Sequence, residues 1–322
     1  MRQLRVWLLA SLVLVLGAPV ARAATPGWPD ALVLATASAG GTYDVYGEGL
    51  ARLLTRTLGI AVGTRRTGGP ADNIEMIERG EAQLAFVTMG VALHAWNGTD
   101  SWAGRQRRSA RALFPMYDTP FHFVALRDSG IDGIAAMAGR RIGIGPVGGT
   151  GDAYVSSFLA KLGVAATTLN GDWTDLAGQL ENGGLDVLAV AAGVPLPAVV
   201  DLEPRRKVVY VPPTAEQALA LRLAWPELTP AEIPPGTYPS LDRPYATVGV
   251  FNFAVARADL PADLAYRIVD TVFSHHDEML QIHSAAAATI PRNFVYNTFM
   301  PYHDGAVRYY GNTAAMGVVH GD

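Results

Sequence analysis

The sequence predicts an α/β protein of two lobes, each a sheet flanked by helices, and three observations carry the prediction. Short apolar segments of strand length alternate with longer segments of helical period along most of the chain. Glycine-rich turns join them, and alternation of this kind builds a largely parallel sheet with helices on its faces. The pattern also runs twice, over residues 31–87 and again over 140–190, which in a chain of 322 residues suggests two units rather than one.

Taken in order, residues 31–36 read as a strand and Ser38-Ala39-Gly40-Gly41-Thr42 as its turn. A helix over 43–57 places Val45, Leu50, Leu53, Leu54 and Leu58 on one side. Residues 60–66 form the next strand, Thr67-Gly68-Gly69-Pro70 its turn, 71–79 a helix closed by Gly80, and 83–87 a third strand. The middle of the chain repeats this with a strand over 140–145, a turn over 146–151 and a helix over 152–162. A helix over 173–181, ended by Asn182-Gly183-Gly184, leads into a largely apolar strand over 185–190 that suits a sheet centre. Residues 226–244, rich in Pro, Thr and Glu, read as a surface excursion, 247–256 as a strand and 261–273 as a helix. Residues 121–127 would carry the chain into the second lobe and 247–256 would bring it back. Lobe I then comprises 24–124 and 252–322, and lobe II 125–251.

The N-terminus has the three parts of a secretory signal: Arg2 and Arg5, an apolar run over 6–16, and the small-x-small site Ala21-Arg22-Ala23. Residues 1–23 are therefore expected to be a cleaved signal peptide, and the protein to be exported to the periplasm. The run is shorter than the ~20 residues that span a bilayer. No later segment reaches that length, and no cysteine is present to carry a lipid.

Half the residues are apolar and 17% are charged, a composition that buries large cores. The absence of cysteine excludes thiol nucleophiles, thiolate zinc sites and iron–sulfur clusters. Losing Arg2, Arg5 and Arg22 takes the formal net charge from −4 to −7, which argues against a nucleic-acid partner or an anionic membrane surface.

Three turns, 38–42, 67–73 and 146–152, share one design: each follows a strand, opens a helix and sets a hydroxyl beside glycines. Glycine lets a ligand approach the main chain closely. A helix start carries unpaired N–H groups and about half a positive charge. Three such ends facing one crevice at the carboxyl ends of strands would hold a carboxylate or small phosphate without any lysine. Arg65 and Arg66 precede the second turn, and strand alternation lets one of them face a cleft.

Catalytic and cofactor signals are missing. Gly143, Gly145 and Gly148 fit G-x-G-x-x-G, but no strand ending in an acid follows the helix and Pro146 intrudes in the turn. There is no Walker A loop, no HExxH and no G-x-S-x-G elbow, so neither cofactor nor metal is expected. His275, His276 and His283 read as a solvated helical face, and the run Arg105, Arg107, Arg108 and Arg111 likewise. A secreted enzyme acting on a small carboxylate would have to use Asp44, Asp152 and His122.

Ser38-Ala39-Gly40-Gly41-Thr42-Tyr43 and Thr67-Gly68-Gly69-Pro70-Ala71-Asp72-Asn73 resemble the TAXI family of solute receptors, which serve the tripartite ATP-independent periplasmic (TRAP) transporters. Gly145-Pro146-Val147-Gly148-Gly149-Thr150, Gly193-Val194-Pro195-Leu196-Pro197 and the tail from Tyr302 to Tyr310 match further family motifs in order along nearly the whole chain. The resemblance implies a two-lobed periplasmic binding protein fold of type II-like form, with hinge strands and a ligand trapped as the lobes close. It also implies a carboxylate or acidic amino acid as ligand, a TRAP-type permease as membrane partner, and a monomer that performs no chemistry. A ligand sensor presenting its closed form to a membrane signalling protein would read the same. On this pattern Ser38, Gly41, Thr42 and Tyr43 line the lobe I wall; Thr67, Gly69 and Asn73 offer main-chain and amide donors. Thr88 and Met89 shape the floor, and Gly149, Thr150, Gly193 and Pro195 cover the ligand from lobe II. Two departures stand out: Thr88-Met89-Gly90 replaces a polar Q-S-D, and Asp44 replaces a tyrosine.

Overall fold

The computed structural model describes residues 26–315. The expected export signal and residues 316–322 lie outside the described residues. The first unit runs β1 (Ala31–Ala35), α1 (Thr42–Leu58), β2 (Ala61–Arg65), α2 (Pro70–Arg79), β3 (Leu84–Thr88) and α3 (Met89–Asn97). A long strand β4 (Ala110–Leu126) leads to β5 (Arg141–Gly143), α4 (Thr150–Lys161), β6 (Thr167–Leu169), α5 (Trp173–Glu181), β7 (Val187–Ala191) and α6 (Pro197–Leu202). Then come β8 (Val208–Tyr210), α7 (Ala215–Ala224), β9 (Thr229–Ile233) and the second long strand β10 (Tyr245–Arg257). Helices α8 (Ala262–Ser274), α9 (His276–Ile282) and α10 (Asp304–Ala315) complete the chain.

The helices form where the apolar period demands them. In α1, Tyr46, Leu50, Leu53, Leu54 and Leu58 make one buried stripe, and Gly59 ends the helix in the left-handed conformation that glycine adopts without strain. Helix α2 ends the same way at Gly80. Strands β3 and β7 are buried at every residue, as sheet-centre strands covered on both faces should be.

The sheet order is β2-β1-β3-β10-β4-β7-β5-β6, with β8 paired to β4 and β9 to β10. Strands β2, β1 and β3 are mutually parallel, as are β7, β5 and β6, and the two long strands run antiparallel between these groups. Residues 110–120 of β4 pair with β10, whereas 121–125 pair with β7. Strand β10 likewise leaves β9, its partner over 245–249, to pair with β3 over 252–256. Strand β4 thus passes from one sheet into the other while β10 runs antiparallel beside it, the architecture of two α/β lobes joined through long strands. The crossing strand is far longer than the 121–127 stretch expected from sequence, because its first half is the wall of the first sheet. The excursion over 226–244 is not wholly irregular: β9 lies within it and pairs with β10.

Candidate functional site

The three glycine turns stand at the carboxyl ends of β1, β2 and β5 and open α1, α2 and α4. Their N-cap residues are Gly41, Gly69 and Gly149, and none of these caps its helix through a side chain. The first amides of a helix have no partner within it. Here the N–H groups of Thr42, Tyr43, Thr150 and Gly151 meet no acceptor among the described residues. Helix α5 begins at Trp173 beside them, again without a side-chain cap.

These helix ends surround a narrow cavity of about 40 Å³. That is room for roughly three waters or the core of one small organic molecule. Eight of the residues expected from sequence line it: Gly41, Thr42, Tyr43, Gly69, Thr88, Gly149, Thr150 and Gly193. Ser38 and Thr67 instead line an open groove that adjoins the cavity at Gly68 and Pro146. The buried Ser38 Oγ has no hydrogen-bond partner. Asn73, Met89 and Pro195 lie on neither wall. Asn73 is fully buried and staples the second turn to the sheet, its amide donating to the Thr36 and Phe86 carbonyls and its Oδ1 accepting from Thr67. Met89 packs into the apolar core. The Pro195 carbonyl accepts from His283 Nε2, since Nδ1 of that ring accepts from the Ala285 amide.

Sequence reasoning missed Thr119, Trp173 and Asn252, which also line the cavity. Asn252 is fully buried in β10, accepts from the Tyr43 hydroxyl at 2.6 Å and donates to the Tyr117 carbonyl and the Thr119 hydroxyl. Burial pushes the Tyr43 phenol well above its ordinary pKa, so it stays a neutral donor. The available signal was a lone amide inside the otherwise apolar run Val250-Phe251-Asn252-Phe253-Ala254. A buried amide on a shared strand is a polar group that must be satisfied where the lobes meet.

No charged side chain lines the cavity. The nearby acids are engaged elsewhere. Asp44 takes a two-point ion pair from Arg66, at 2.7 and 3.0 Å. Asp72 accepts from the Gly68 amide, and Asp152 accepts from the Gly148 amide and from Asn170. Arg66 therefore spends its guanidinium on Asp44 at the groove edge, and Arg65 reaches Glu81. Asp44, Asp152 and His122 do not come together. His122 is buried in β4 between the Pro120 carbonyl and the Tyr238 hydroxyl, and burial pushes its pKa down to about 4. The G-x-G-x-x-G match is a packing feature: Gly145 has φ +85°, and a Cβ there would press on the Trp173 ring.

The two walls touch in several places. The Ala71 amide donates to the Gly148 carbonyl, and the Thr42 hydroxyl donates to the Gly193 carbonyl at 2.6 Å. The hydroxyls of Thr88 and Thr150 are 3.2 Å apart. A Cβ on Gly68 would overlap the Val147 carbonyl oxygen, and one on Gly69 would sit 3.0 Å from the Gly149 Cα. Away from the cavity, His94 of α3 bonds Glu227 at 2.9 Å, and Tyr154 of α4 donates to the same carboxylate.

Two groups of parallel strands joined through the long strands β4 and β10, with helix starts gathered around a cleft where they meet, form the fold of the two-lobed periplasmic binding proteins. The chain belongs to the NMT1-like family, whose model matches residues 34–312. Among solved structures it is similar to MatC from Rhodopseudomonas palustris, determined with bound malate, at 13% identity and a TM-score of 0.60 over 91% of this chain and 98% of that one. The periplasmic binding protein BugD matches at 14% identity and a TM-score of 0.59, over 90% and 97%. R. palustris Rpa4515, determined with adipate, matches at 14% and 0.56, over 91% and 98%. At such identities the likeness is one of fold.

Proposed function

We propose that this protein is an extracytoplasmic receptor that captures a small organic anion between its lobes and delivers it to a TRAP-type permease. The observation that carries the reading is the convergence of helix starts from both lobes, with their amides unpaired, on one narrow cavity. Partial positive charge from helix ends holds an anion without a counter-cation. The sequence resemblance to TAXI receptors supplies the transporter class, and the solved relatives with malate and adipate fit a carboxylate ligand. In this reading lobe I is 24–124 with 252–322, lobe II is 125–251, and residues 1–23 direct export to the periplasm. Ser38, Gly41, Thr42, Tyr43, Thr67, Gly69, Asn73, Thr88 and Met89 form or brace the lobe I wall, and Gly149, Thr150, Gly193 and Pro195 the lobe II cover. The receptor works as a monomer and needs no cofactor.

A thermal-shift screen of carboxylates and acidic amino acids tests this. A ligand at 100 times its Kd should stabilise the protein by about 2.7 kcal/mol. Failure of every anion in the screen to raise the midpoint would contradict the reading.

A further inference from the structure

We infer that the cavity selects a short monocarboxylate bearing neither an ammonium group nor a second carboxylate. The inference rests on the receptor reading and narrows its ligand class. The anion seat is made of main-chain groups: the unpaired amides of Thr42 and Tyr43 from one wall and of Thr150 and Gly151 from the other. Helix-end charge falls away within a turn, so it serves one carboxylate placed at the seat.

Among the described residues, the rest of the wall offers no charged side chain to a second charge. An ammonium group needs an anionic or free acceptor when it leaves water. Asp44, Asp72 and Asp152 do not line the cavity; Asp44 is paired with Arg66, and the other two accept from the Gly68 amide and from the Gly148 amide and Asn170. The Gly193 carbonyl and the Asn252 Oδ1 each already accept a hydrogen bond, from the Thr42 hydroxyl and the Tyr43 phenol, and no acidic side chain among the described residues lines the cavity to add a negative charge. A second carboxylate would need a guanidinium or ammonium, and no arginine or lysine lines the cavity. What the lining does offer besides is Trp173, Pro70, Pro146, Ala191 and Ala192, surfaces for a short apolar or lightly hydroxylated body. The cavity itself has room for a body of a few carbons.

Calorimetric titration and thermal unfolding of the processed wild-type protein test the inference with matched probes. These are propionate, pyruvate and lactate, then alanine as the amino counterpart, then malonate and succinate. The monocarboxylates are expected to bind and raise the midpoint, with alanine and both dicarboxylates weaker by about tenfold or more. Alanine or a dicarboxylate binding as tightly as the best monocarboxylate would overturn the inference and leave the receptor reading standing. Binding by no carboxylate at all would overturn both.

Discussion

Two seams hold the lobes together, and they work by different physics. Beside the cavity, Gly68 and Gly69 meet Val147, Gly148 and Gly149 backbone to backbone, with the Ala71 amide bonded to the Gly148 carbonyl. Farther along the cleft, His94 of α3 lies between Asp100, at 2.7 Å, and Glu227, which also accepts from Tyr154. The first seam depends on shape: only residues without a side chain allow the approach. The second depends on charge and so on pH and salt. In the proposed receptor, closure around the cavity is set by geometry, and charge adjusts how firmly the cleft stays shut.

The largest expected effect breaks the shape seam. Gly68→Val puts a side chain where the Val147 carbonyl oxygen sits, so the walls cannot meet. Ligand affinity should fall by about a hundredfold or more, close to 2.7 kcal/mol. The midpoint of unfolding without ligand should change little, because Gly68 lies in a turn outside the cores. A variant that binds as wild type would show that the cavity forms without this contact.

A smaller effect is expected one step inward. Thr150→Val keeps the shape but removes the hydroxyl that faces Thr88 across the cavity. Binding should weaken about tenfold, or 1.4 kcal/mol. Calorimetry showing wild-type affinity would remove Thr150 from the site.

The charge seam should give the mildest change. The hydrogen bond to Glu227 raises the His94 pKa above its ordinary value, against burial and with Asp100 adding to the rise. Burial pushes the Glu227 carboxyl up, but bonds from His94, its own backbone and Tyr154 outweigh this and leave it below the usual value. The imidazolium contribution is complete below the ordinary histidine pKa and is lost as pH rises through the raised one. The carboxylate contribution is present above the ordinary glutamate pKa and is lost as pH falls through the lowered one. Ligand affinity of the wild type should therefore drop a few-fold on moving from about pH 6 to about pH 9. In His94→Gln that drop should vanish. An identical slope in both proteins would separate the seam from closure.

The contrast between the seams also explains what was legible in the sequence. The helix-opening turns could be read because their signals are local: a strand period, then glycines with a hydroxyl, then a helical period. Helix α5 matches the expected 173–181 at both ends, α1 differs from expectation by one residue at each end, and α2 by one residue at its start. Gly41, Thr42, Gly69, Gly149 and Thr150 followed from the same turns. Thr119 and Asn252 escaped because their place depends on β4 pairing with β10 across more than a hundred residues of chain, which no local period encodes. Trp173 escaped because a tryptophan opening an amphipathic helix looks like core, and only the positive-φ turn at Gly145 brings its ring to the cavity. Asn73 and Met89 were placed on the wall because the turn residues beside them are. Their side chains point into the sheet and core instead. The His94–Glu227 seam joins residues far apart in sequence and had no motif to announce it.

Binding that requires both walls is tested most directly by a paired calorimetric titration. The best carboxylate from the screen is titrated into wild type and into Gly68→Val. The account predicts saturable binding at one site per chain in wild type and loss of that binding in the variant. Equal affinity in the two proteins would contradict it, because the ligand would then sit somewhere that the meeting of the lobes does not create.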